Sequence, residues 1–150
     1  MSLETGQYYI ISAEGGFPIG RNSREDRSLN PKGIFRLPEG TESVWDVEKL
    51  PNGNYTLKNR GAIVGGTAGA GVFAYLIPDQ ATGPVTTEWK FIFDERRANE
   101  GTPFLITEAL TGGSNGWVVP PSDDDESYPG SQPAPVLPPN QVFFFKKVDA

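Results

Sequence analysis

This sequence contains no cysteine and no histidine. Those absences exclude disulfides, thiolate chemistry, Cys/His zinc sites, a Ser-His-Asp triad and any histidine general base. Positive charge is scarce, with 13 Lys and Arg against 19 Asp and Glu for a net charge of −6. Cations scattered on an acidic chain do not form the basic face that phosphate backbones need, so no nucleic acid partner is expected. Long apolar runs are missing too. The tightest cluster, Val142–Phe145, is strand-sized, far short of the ~20 residues of a membrane-spanning helix. Met1-Ser2-Leu3-Glu4-Thr5-Gly6 has neither a basic start nor an apolar stretch, so the expectation is a cytoplasmic protein without a membrane partner.

A length of 150 residues points to a single domain spanning residues 1–150. A chain of this size buries roughly 68–70% of its unfolded surface and needs no staple, so neither metal nor cofactor is expected. Helical periodicity is nearly absent. Gly (18) and Pro (14) punctuate short Val, Ile, Phe and Tyr clusters, the pattern of an all-β barrel or sandwich.

The clusters repeat. Gly6-Gln7-Tyr8-Tyr9-Ile10-Ile11, Gly53-Asn54-Tyr55-Thr56-Leu57-Lys58 and Gly101-Thr102-Pro103-Phe104-Leu105-Ile106 begin 47 and 48 residues apart. Each is a turn followed by a strand whose large apolar residues share one face. Each unit then closes on an aromatic strand, at Trp45, at Trp89 and at Phe143–Phe145. Three repeats of about 48 residues with four strands apiece make twelve strands, the arithmetic of a pseudo-threefold β-trefoil.

The expected strands in the first unit are Gln7–Ser12, Phe17–Arg21, Gly33–Leu37 and Val44–Leu50. In the second they are Asn54–Asn59, Ala62–Val64, Val72–Ile77 and Glu88–Asp94, and in the third Phe104–Glu108, Trp117–Val119, Ala134–Leu137 and Gln141–Val148. Asn52-Gly53 signals a tight turn. Gly65 to Gly71 reads as a flexible connection, and Pro120–Pro139, with seven prolines, as a long loop.

Most candidate chemistry dissolves on inspection. Asp123-Asp124-Asp125-Glu126 lacks the alternating spacing and glycine turn of a calcium loop, and reads as a solvated acidic stretch. Gly65–Gly71 is followed by no Lys-Ser/Thr pair and no helix, so it is not a phosphate cradle. No nucleophile elbow marks an enzyme. Trp45 and Trp89 sit at matching repeat positions and read as core. Trp117, after Gly112-Gly113-Ser114-Asn115-Gly116, is expected to be partly exposed. With Asn115 it is the candidate sugar platform of an alternative reading, a carbohydrate-binding lectin.

The most informative segment is Arg21–Lys32, which is long, charged and free of glycine. Pro31 fixes its own φ and holds Asn30 extended. Asn22 and Asn30 can bond nearby backbone and brace the loop from within. A braced, extended loop bearing an arginine suits a trypsin-like protease, whose S1 pocket ends in an acid.

Ser2-Leu3-Glu4-Thr5-Gly6-Gln7-Tyr8, the run Asp26-Arg27-Ser28-Leu29-Asn30-Pro31-Lys32 and the Trp45 strand resemble the mushroom β-trefoil serine protease inhibitors. That resemblance implies reversible, substrate-like inhibition of trypsin-type proteases through an arginine in this loop, in a cytoplasmic store that defends fruiting bodies. Within the loop, Glu25 and Asp26 would compete for the guanidinium of Arg24, and Lys32 abuts a strand. Arg27, mid-loop and followed by small, uncharged Ser28, is therefore the expected residue to enter S1. Asn22, Asp26, Leu29, Asn30 and Pro31 support it. Related mushroom inhibitors of cysteine proteases use the loops that correspond here to Ala13–Gly16 and Pro38–Ser43. Legumain-type proteases are met through an asparagine in the loop that here carries Asn59-Arg60-Gly61. Asn59 and Arg60 thus form the rival reactive loop. A monomer is the simplest expectation.

Overall fold

The structure, a computed structural model, describes residues 3–13, 16–21, 27–29, 31–66, 72–77, 85–100, 102–109, 115–118, 130–133 and 142–148. Six strands close a barrel. They are β1 (Gly6–Ser12), β4 (Val44–Lys49), β5 (Tyr55–Asn59), β8 (Trp89–Phe93), β9 (Pro103–Glu108) and β12 (Phe143–Lys147). Each pairs antiparallel with the next, and β12 returns to β1. The strands between them pair as hairpins: β2 (Ile19–Arg21) with β3 (Lys32–Arg36), β6 (Ala62–Gly66) with β7 (Val72–Tyr75), and β10 (Asn115–Val118) with β11 (Gly130–Pro133). Among the described residues the chain is all-β apart from a short 3-10 segment, Glu95–Glu100.

Alternation explains the barrel. Tyr8 and Ile10, Tyr55 and Leu57, and Phe104 and Ile106 are all buried, as their shared faces require. The opening aromatic of each unit lies opposite its closing one, with Tyr8 facing Trp45, Tyr55 facing Trp89 and Phe104 facing Phe143. Trp45 Nε1 donates to the Ile19 carbonyl at 2.8 Å, and Trp89 Nε1 to the Val64 carbonyl at 3.2 Å. The two indoles therefore fix β2 and β6 in the same way.

Trp117 corrects the sequence expectation. It is 1% exposed. Its ring lies 5.7 Å from Trp45, 5.4 Å from Trp89 and 6.0 Å from Phe143. Edge and tilted contacts at such spacings are the favoured aromatic geometry. Buried among those three rings, it offers no platform to a sugar.

The strand ends shift by a residue or two, because pairing rather than composition sets them. β6 runs on through Gly65 and Gly66, which were expected in a flexible connection. A Cβ on Gly65 would lie 2.8 Å from the Thr86 carbonyl oxygen, so this close backbone approach requires glycine. The remainder of that connection, the acidic run at 123–126 and the expected strand Ala134–Leu137 lie outside the described residues. The strand described in the proline-rich stretch is β11. The Asn52-Gly53 turn forms as expected, with Gly53 at φ 89° and its N–H donating to the Leu50 carbonyl at 3.0 Å.

Candidate functional site

Every residue of β2 is fixed from outside the hairpin. The Ile19 carbonyl accepts the Trp45 indole. A Cβ on Gly20 would overlap Ser43 Oγ and lie 2.7 Å from Ser43 Cβ, so Ser43 packs directly on the backbone there. The Arg21 N–H donates to Asn59 Oδ1 at 3.1 Å, and Arg21 Nη1 donates to the Asn59 carbonyl at 3.4 Å. β2 thus delivers the chain to the loop from a rigid foot.

The second foot is Lys32. It opens β3, opposite Ala74 of β7, and is only 6% exposed. Its Nζ donates to Ser28 Oγ at 3.2 Å. The loop is therefore held at Arg21, at Lys32 and, through Lys32, near its middle.

Between these feet the three described central residues alternate. Arg27 is exposed, Ser28 half-buried and Leu29 62% exposed. Pro31 is half-buried beside Lys32. Asn22 and Asn30, the expected braces, and Asp26, expected to support Arg27, lie outside the described residues. Lys32 does not protrude, as its place beside a strand implies. That it reaches back to Ser28 is not visible in the sequence, since nothing in a lysine's position reveals an inward-turned ammonium.

The rival loop is built differently. Asn59 and Ala62 pair across the β5–β6 hairpin, leaving Arg60-Gly61 as a two-residue turn. Both have positive φ, 50° and 80°, as a type I′ turn demands. Asn59 is 0% exposed. Its Nδ2 donates to Ser43 Oγ at 3.0 Å and to the Val44 carbonyl at 3.3 Å, while Oδ1 accepts from Arg21. Both ends of the carboxamide are engaged inside the protein, so Asn59, expected as a candidate for a protease pocket, does not present its side chain at the surface of the free protein. Arg60 is exposed, but in a left-handed conformation rather than the extended one a substrate offers. Arg21, Ser43 and Arg60 line an open cleft of about 390 Å³ with Gln7, Glu42 and Asp46.

Comparison with known proteins agrees with this architecture. The family model described as Peptidase inhibitor I66 matches residues 1–147. A Lentinula edodes protein named "Serine protease inhibitor" is 35% identical, over 99% of this chain and 100% of that protein. The solved structure of a proteinase inhibitor from Coprinopsis cinerea superposes with a TM-score of 0.81 at 29% identity, covering 98% of this chain and 100% of that one. A structure titled as a β-trefoil, BEL, shares the fold at 15% identity and a TM-score of 0.65, covering 99% of this chain and 97% of that one. The chain belongs to the peptidase inhibitor I66 family and is a protease inhibitor, not an enzyme.

Proposed function

We propose that the protein is a reversible, substrate-like inhibitor of trypsin-type serine proteases, presenting Arg27 to the S1 pocket with Arg27–Ser28 as the reactive bond. One observation carries this reading. Arg27 is exposed on a loop whose two feet, Arg21 and Lys32, are both tied into the scaffold. A guanidinium matches the carboxylate at the base of a trypsin-type pocket in charge and in hydrogen-bonding geometry. The fixed feet lower the ordering cost of binding. After cleavage they keep the new ends together, so religation competes with hydrolysis. The interface expected around such an anchor is of standard size, about 1,600 Å².

The same reading makes the chain a twelve-stranded β-trefoil with three repeats, one domain over residues 1–150. The facing pairs Tyr8–Trp45, Tyr55–Trp89 and Phe104–Phe143 support that symmetry. It also makes the protein a cytoplasmic, monomeric component of fungal defence.

Titration of active-site-calibrated trypsin with the parent and with Arg27→Ala tests the site. The parent should titrate trypsin stoichiometrically. Truncating a central, desolvated arginine anchor costs ~4–8 kcal/mol, so Arg27→Ala should raise the dissociation constant by about three to six decades. An Arg27→Ala protein that still titrates trypsin like the parent sinks the assignment.

A further inference from the structure

We infer that Lys32 is a positioning residue for the inhibitory cycle, holding the Ser28 side of the reactive bond in place while that bond is open. This rests on the assignment of Arg27–Ser28 above. Lysine is almost never fully buried unless its ammonium is paired. Lys32 is 6% exposed, and its Nζ reaches back four residues to Ser28 Oγ at 3.2 Å. Buried to that extent, it is a poor anchor for a protease pocket. The loop's alternation matches this arrangement, because Arg27 and Leu29 face solvent while Ser28, between them, is half-buried and bonded to the ammonium.

The chemistry shows why that grip matters. The protease serine oxygen attacks the Arg27 carbonyl carbon, and its proton passes through the protease base to the Ser28 nitrogen. The C–N bond breaks, leaving Arg27 as an ester on the protease and Ser28 with a free α-amine. Two nucleophiles then compete for the ester. Water releases the Arg27 carboxylate and consumes the inhibitor as a substrate. The Ser28 amine instead reforms the peptide bond and returns the proton to the serine oxygen. Holding the amine close to the ester raises its effective concentration far above that of a free chain end. Lys32 sits in β3, which is paired into the scaffold at Ala74 and Phe73. Its bond to Ser28 therefore tethers the new terminus to a part of the protein that cleavage does not release.

The test uses the full chain with trypsin, measuring early inhibition and, by mass spectrometry of the fragments, the rate at which Arg27–Ser28 is hydrolysed. Lys32→Met keeps the length and removes the donor, and Ser28→Ala removes the acceptor. Hydrolysis is expressed per trypsin molecule complexed at early times, so that a change in initial affinity does not enter the comparison. Each should be hydrolysed about 10- to 100-fold faster, the worth of one hydrogen bond to a charged group. Ser28→Thr, which keeps the hydroxyl, should return hydrolysis close to the parent rate, and the double variant should be no faster than the faster single one. If Lys32→Met fails to fold, Ser28→Ala and Ser28→Thr decide alone. Parent-like hydrolysis of Ser28→Ala, with Arg27→Ala unable to inhibit, overturns the role of Lys32 and leaves the reactive site standing. Undiminished inhibition by Arg27→Ala overturns both.

Discussion

Asn59 Oδ1 accepts the backbone N–H of Arg21 at 3.1 Å, across 38 positions of sequence. The same side chain donates to Ser43 Oγ and to the Val44 carbonyl. One buried carboxamide therefore joins the end of β2, the entry to β4 and the β5–β6 turn. Asn59→Ala would strip partners from groups that water reaches poorly, at a cost of about 2–4 kcal/mol. A domain of this length should then melt roughly 5–15 °C lower. Thermal unfolding by circular dichroism measures this directly, and a shift within error of zero would mean the network carries no energy.

The three tryptophans allow a controlled comparison. All are buried, but Trp45 Nε1 bonds to the Ile19 carbonyl, whereas Trp117 Nε1 has no hydrogen-bond partner among the described residues. Replacing either indole by phenylalanine forfeits similar packing. Only Trp45→Phe also leaves a buried carbonyl unpaired. Trp45→Phe should therefore destabilise by about 1–2 kcal/mol more than Trp117→Phe. Urea unfolding of both variants gives the difference, and equal losses would refute the distinction.

Much of this architecture is legible because alternation is a local signal. Tyr8, Tyr55, Phe104, Trp45 and Trp89 declare an inner face within a few residues of themselves, and the 47- and 48-residue spacing carries that pattern around the barrel. Partners are another matter. Trp117 follows a glycine-rich stretch that reads as loop, yet its neighbours are Trp45, Trp89 and Phe143, drawn from three distant strands. Asn59 looks like a turn residue until Arg21 and Ser43 are placed beside it. β11 is hidden because prolines break the period-two pattern, and only its register with β10 defines it. Arg27 stands out in the sequence by its charge and its neighbours, whereas the hydrogen bond from Lys32 to Ser28 is visible only in the geometry.

Asp94 should give the protein an acid-sensitive contact. Its carboxylate accepts Arg96 Nε at 3.1 Å and the Arg96 N–H at 3.1 Å, capping the 3-10 segment. The Arg96 side-chain hydrogen bond is the main cause holding its pKa below the usual 3.8, against the opposing effect of burial. Between the folded value and 3.8 the unfolded chain binds more protons, so stability rises with pH there. The contribution is complete above that window and is lost as pH falls through the folded value. Arg96 is 63% exposed, so the pair is screened and Asp94→Asn should cost only about 0.5–1 kcal/mol at neutral pH. Urea midpoints taken from about pH 2 to about pH 7 should show a shallower acid slope in Asp94→Asn, and an unchanged slope would assign it to other carboxylates.

Arg60 separates the two candidate loops by a substitution that should help folding. It is the first residue of the Arg60-Gly61 turn and, among the described residues other than glycine, the one with positive φ, at 50°. Asparagine tolerates that left-handed conformation better than arginine, and Asn-Gly is the favoured pair for such a hairpin. Arg60→Asn should therefore stabilise the chain by about 0.5–1 kcal/mol, net of the weak surface contacts of the guanidinium. It should leave trypsin inhibition unchanged, because a left-handed residue in a two-residue turn does not lie extended in a protease cleft. Parallel melting curves and trypsin titrations read both effects. If Arg60→Asn abolishes inhibition while Arg27→Ala preserves it, the reactive bond lies on the β5–β6 turn, and that turn must open to an extended form when it binds.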